Sequence, residues 1–176
     1  MQPTYKPVIL ILLLILTGCA IKHDYIWNEY PIAPERISSQ SGFTVGQEIS
    51  IIKGKSNDSK IFLGNVGAHQ YFGSEQTLTD GIVEQLAKEL RNQRLEIKNP
   101  ADKSLEITVN RSKFERGMWR IAATLDFTVK FGNGKIKSYT VRNSSPSTVD
   151  QTYNGAVALA VLEIINDPEV LTYINE

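Results

Sequence analysis

From Ile121 to Phe131 the chain alternates in a strict period of two. Ile121, Ala123, Leu125, Phe127, Val129 and Phe131 fall on one side, and Ala122, Thr124, Asp126, Thr128 and Lys130 fall on the other. Only an extended strand keeps such a set on one face, because successive side chains of a strand point to opposite sides of the sheet. The pattern demands a sheet with one apolar face to be covered and one polar face left to water or to a polar partner. Gly132-Asn133-Gly134 follows at once. These residues take the positive φ of a tight turn at low cost, so the chain reverses here and 136–142 returns as the next strand. Upstream, Leu105, Ile107 and Val109 alternate with Glu106, Thr108 and Asn110 and supply a further strand.

Something must cover the apolar face. Ile82, Val83, Leu86, Ala87 and Leu90 recur at helical spacing within 79–92, with Thr77 or Thr79 as cap and Asp80 in the first turn. A second helix is predicted over 149–166. Its middle, Ala156 to Leu162, is apolar nearly all round and belongs deep against the sheet. Asp167-Pro168 opens a short third helix, with Asp as cap and Pro at the first helical position. Before the first helix, 48–53 and 60–66 read as strands, and 67–75 reads as a polar, glycine-containing loop. The order predicts an α+β fold: a two-layer sandwich, with a mainly antiparallel sheet and two helices packed on one face.

The beginning of the chain is of another kind. Lys6 precedes an unbroken apolar run from Val8 to Leu16, and Leu16-Thr17-Gly18-Cys19 follows. The run is too short to span a bilayer, which takes about 20 apolar residues. A positive end, a short apolar segment and small residues at a cut make a secretory signal peptide. Cys19 is the only cysteine of the chain, so no internal disulfide can form. The tetrad Leu16, Thr17, Gly18, Cys19 resembles the lipobox of bacterial lipoproteins. The resemblance implies lipid on the Cys19 sulfur, cleavage before it and acylation of the new amino terminus. By the sorting rule of enteric lipoproteins, which the same resemblance brings with it, Ala20 in place of Asp implies export to the outer membrane, facing the periplasm. The expected organisation is a signal peptide over 1–18, a lipidated N-terminus and flexible tether over 19–46, and the α+β domain over 47–176. Tyr25, Ile26, Trp27, Tyr30 and Ile32 cluster early in that tether. They suit packing on the domain, a place among lipid headgroups, or a partner.

Chemistry is sparse. Lys and Arg together number 19, as do Asp and Glu, so no bulk charge favours nucleic acid. His23 falls in the tether and His69 in the loop before the first helix, with Tyr71 and Glu75 near it in sequence. Nothing there has the spacing of a triad or a metal motif. The expectation is a protein that is not an enzyme and needs no cofactor or metal. One feature stands out: Arg111, Lys113, Arg116 and Arg120 surround Gly117-Met118-Trp119 at the turn between two long strands. This is a candidate site for an anionic group or a partner, or else a solvated hairpin whose charges Glu106, Glu115 and Asp126 offset. The parity of Trp119 matches Ile121 and Phe127, so it also suits the core.

Three segments carry a wider resemblance: the helix from Leu78 to Leu90, the turn Gly132-Asn133-Gly134-Lys135 and the tail from Asn166 to Ile174. With the lipobox, they resemble the YajG-type lipoproteins of proteobacteria. The resemblance implies a periplasm-facing lipoprotein without established catalysis, and brings no functional residues across. The expected function is a noncatalytic, membrane-anchored binding or assembly accessory of the outer membrane. Its partners would be the membrane, through lipid on Cys19, and an envelope protein or lipid. The alternative is an accessory of lipid or lipopolysaccharide transport that binds anionic lipid through 111–120.

Overall fold

The computed structural model of the protein describes residues 20–37 and 42–176. In chain order the elements are β1 (Ile21–Asp24), a 3-10 turn (Pro34–Arg36), β2 (Glu48–Lys53), β3 (Ile61–Val66), β4 (His69–Gly73), α1 (Glu75–Asn92), β5 (Glu96–Ile97), β6 (Ser104–Arg116), β7 (Ile121–Phe131), β8 (Ile136–Ser145), α2 (Val149–Ile165) and α3 (Pro168–Asn175). The fold is α+β, as the alternation of patterns predicts. A five-stranded sheet has the order β5-β2-β6-β7-β8, and a second sheet has the order β1-β4-β3.

The long strands behave as their alternation requires. In the antiparallel ladders β6–β7 and β7–β8, Leu125 stands opposite both Ser112 and Val141, and Phe127 opposite Val109 and Tyr139. Ile121, Ala123, Leu125, Phe127, Val129 and Phe131 are all buried. β2 runs parallel to both β5 and β6, so the sheet is mixed. Parallel neighbours need a long crossover, and the stretch that carries α1 provides it.

One register slip matters. Between Val109 and Arg111 the β6 ladder gains a residue, and Val109 stands opposite Phe127 while Arg111 stands opposite Asp126. An extra residue reverses the parity of a strand. Beyond it Ser112 and Phe114, not Arg111 and Lys113, share the core side with Leu125 and Ala123. The disrupted ladder is repaired from a helix: the Val109 N–H donates to the Thr79 hydroxyl at 2.9 Å. Thr79 is thus committed inside the core, and the cap of α1 is Ser74, whose hydroxyl accepts from the Thr77 N–H at 3.1 Å. The helix begins four residues before the apolar stripe suggested, and the expected loop before it contains β4.

Both larger helices lie on the apolar face of the main sheet. Leu78, Ile82, Leu86 and Leu90 of α1 are buried, as are Ala156, Val157, Ala160, Val161 and Ile164 of α2. Burial of each large aliphatic side chain contributes about 1.5–3 kcal/mol. Asp167 caps α3 as its sequence predicts, accepting from the Glu169 N–H at 2.9 Å.

The N-terminal segment corrects the expected domain boundary. β1 pairs in parallel with β4, from Ile21 opposite His69 to Asp24 opposite Phe72. Tyr25 is buried, and its hydroxyl donates to Asn154 Oδ1 at 2.8 Å. Gln85 donates to the Tyr30 carbonyl at 2.7 Å, and Trp27, Ile32 and Ile37 pack against the core. Residues 20–37 therefore belong to the domain, which does not start at Gln47. The reason is local: the aromatic cluster carries too much apolar surface to stay in water when a helix face is in reach.

Candidate functional site

The β6–β7 hairpin ends in a turn that projects into solvent. The last ladder pair is Arg116 opposite Ile121, and the Gly117 N–H closes the turn on the Arg120 carbonyl at 2.8 Å. Met118 is 88% exposed and Trp119 is 83% exposed. The parity that places Trp119 with Ile121 has no force here, because Trp119 lies past the end of the ladder, where no helix covers it. Trp119 is not core.

The five candidate residues do not stay together. Arg116, Trp119 and Arg120 form the tip. Lys113 is tied to Glu115 at 2.8 Å, and the same carboxylate accepts from Arg142 at 2.9 Å. The hydrogen bond from Lys113, and then that from Arg142, hold the Glu115 carboxyl below the usual range. Arg111 sits at the register slip opposite Asp126, and Asp126 accepts from the Thr140 hydroxyl at 2.7 Å. Among the described residues, Arg111, Arg116 and Arg120 have no ion-pair partner. The tip therefore presents two free guanidinium groups beside two exposed apolar side chains. That combination suits an anionic, partly apolar surface.

The surroundings of the tip are informative. A shallow recess of about 140 Å³ joins Met118 and Trp119 to Val66, at the end of β3. Val66 pairs with His69, and His69 pairs with Ile21. The Ile21 N–H also donates to the Ala68 carbonyl at 2.9 Å. Three neighbouring strands thus bring Ile21 and Val66 within roughly 10 Å, at about 4.8 Å per strand. The N-terminal end of the described domain and the Met118-Trp119 tip lie at the same end of the molecule. Sequence reasoning found the tip but had no means to see this, since it depends on the pairing of β1 with β4. Leu16, Thr17, Gly18 and Cys19 lie outside the described residues.

The two histidines are not separate tether and loop residues. His23 in β1 and His69 in β4 meet, with Nε2 of one and Nδ1 of the other 2.8 Å apart. The His23 ring lies against both His69 and Tyr71, with centroid separations of 5.0 Å to each. Glu75, the other residue near His69 in sequence, is buried in the first turn of α1. Among the described residues no cluster of three or more His, Cys, Asp or Glu side chains has the geometry of a metal site. No helix among them is long and apolar enough to cross a membrane.

No family model matches the chain, and no curated protein matches it. Several solved structures are similar. A hypothetical protein of Chlamydia trachomatis aligns at a TM-score of 0.41 and 7% identity, over 74% of this chain and 98% of that one. A minor lipoprotein of Acinetobacter baumannii aligns at 0.37 and 16% identity, over 74% and 92%. The PelC dodecamer of Paraburkholderia phytofirmans aligns at 0.39 and 13% identity, over 74% and 90%.

Proposed function

We propose that the protein is a noncatalytic lipoprotein of the bacterial outer membrane, anchored through Cys19, whose domain rests its Arg116–Arg120 tip on anionic lipid headgroups. The observation that carries this reading is the shared end: the tip and Ile21, two residues after Cys19, lie on one side of the domain. A lipid anchor there puts Met118 and Trp119 at the bilayer surface. Arg near an anionic surface contributes about 1 kcal/mol per residue, and indole favours the interface between water and acyl chain. Those terms are too small to anchor the protein, which falls to the acyl chains. They suffice to orient it, leaving the polar outer face of β6–β8 free for an envelope component. The likeness of Leu78–Leu90 and the tail to YajG-type lipoproteins supports the same class.

Brominated lipids test the orientation. The full chain with Trp27→Phe is reconstituted in vesicles containing brominated phosphatidylglycerol. Quenching of Trp119 emission is expected there, and less of it when the anionic lipid is replaced by phosphatidylcholine. Unquenched Trp119 in both would overturn the docking. Palmitate labelling tests the anchor separately: incorporation lost in Cys19→Ser is expected, and incorporation that survives excludes Cys19.

A further inference from the structure

The chain has only two histidines, and folding brings them together from positions 46 residues apart. We propose that His23 and His69 form a binding site for a borderline transition-metal ion of the Zn²⁺ or Cu²⁺ class. Imidazole nitrogen is the preferred neutral ligand of these ions.

The geometry is close to that required. The facing nitrogens are 2.8 Å apart. Two nitrogens on one tetrahedral ion, each at about 2.0–2.1 Å, stand roughly 3.4 Å apart. A small opening of the two rings reaches that value. The proton between them needs no acceptor elsewhere: the donor ring moves it, through water, to its own other nitrogen, and both facing nitrogens then offer lone pairs. His69 is exposed, so an ion has access, while the stack on Tyr71 already orders the His23 ring. Strand alternation sends Lys22 and Asp24 to the opposite face of β1, where Lys22 meets Lys60 and Phe72. No ammonium group of β1 therefore competes on the imidazole face. With two protein ligands, water fills the remaining positions. The ion would tie β1, the strand next to the N-terminal end, to β4.

The test is calorimetric titration of the full chain carrying Cys19→Ser, in non-ionic detergent, with Zn²⁺ and with Cu²⁺. The expected result is one ion per chain, with affinity lowered at least about tenfold by His23→Gln and equally by His69→Gln. Paramagnetic resonance of the Cu²⁺ form should show nitrogen splitting from two imidazoles. Melting without metal checks that each variant is folded. At equal metal concentration the melting temperature should rise more in the parent chain than in either variant. Absence of binding to the parent chain, or an affinity unchanged in either folded variant, overturns the site.

Discussion

The Tyr25 hydroxyl donates to Asn154 Oδ1 at 2.8 Å, and the Asn28 N–H reaches the same oxygen at 3.3 Å. Asn154 lies in the first half of α2, so this pair fastens the N-terminal segment to the helix at the centre of the core. Burial, and after it the charge of Asp150, push the Tyr25 hydroxyl far above its usual range, which keeps it a donor. Tyr25→Phe retains the ring and removes the bond. It should lower stability by about 1 kcal/mol, read from denaturant unfolding. Tyr25→Ala also removes a buried ring and should cost about 3–5 kcal/mol. Equal effects of the two would show that the ring is not packed.

Gly81 faces the Trp27 ring inside α1. A methyl group there would lie 2.6 Å from the indole. In a free helix, alanine is better than glycine by about 1 kcal/mol. Here the added carbon pushes Trp27 off its site. Gly81→Ala should therefore lower stability by about 1 kcal/mol, as the lost burial of the indole exceeds the propensity gain. A red shift of the emission attributable to Trp27 accompanies it. A more stable protein with unchanged emission would mean that the indole yields without loss.

Much of the main sheet and of the helices is legible from spacing alone. Ile121 to Phe131, the turn at Gly132-Asn133-Gly134, the α2 run and the Asp167-Pro168 start all act locally, and local signals survive in the sequence. β1 and β4 do not. Each is short, and its pairing is to a segment far along the chain, so nothing near Ile21 announces His69. The same holds for the site. The basic cluster is visible around Trp119, but its division is not. Glu115 takes Lys113 because they are two apart on one strand face, while Arg142 arrives from β8. The sequence signal for the histidine pair is small: two histidines, each in a short stretch with alternating aromatic neighbours.

Asp167 ties β8 to the start of α3. It accepts from the Tyr139 hydroxyl at 2.7 Å and pairs with Lys137 at 2.6 Å. Burial alone would raise its pKa. The hydrogen bonds from Lys137, Tyr139 and the Glu169 N–H outweigh that and leave it lowered. A depressed carboxyl contributes stability above its unfolded pKa, about 3.9, and the contribution is lost as pH falls through the lower folded value. Lys137 is shifted up, chiefly by its hydrogen bond to Asp167. Its contribution is complete below the ordinary lysine range and is lost as pH rises through the raised value. Unfolding free energy should therefore decline at both extremes. Asp167→Asn should flatten the acid limb and cost about 1.5–3 kcal/mol at neutral pH. An unchanged acid limb would show that other carboxyl groups set it.

The tip separates stability from membrane contact. Met118 and Trp119 are exposed, and Arg116 and Arg120 have no ion pair among the described residues, so folding gains little from any of them. Trp119→Ala, and Arg116→Gln with Arg120→Gln, should each leave unfolding within about 0.5 kcal/mol of the parent. On anionic vesicles the same changes act fully. Removal of two cationic groups at about 1 kcal/mol each weakens surface contact by roughly thirtyfold. The loss should shrink as salt rises, since screening at 0.15 M already acts within about 8 Å. Arg111→Gln, on the sheet face away from the tip, is the control and should change neither reading. If Arg111→Gln weakens vesicle contact as much as the paired tip change, the wet face of the sheet, and not the hairpin end, meets the lipid.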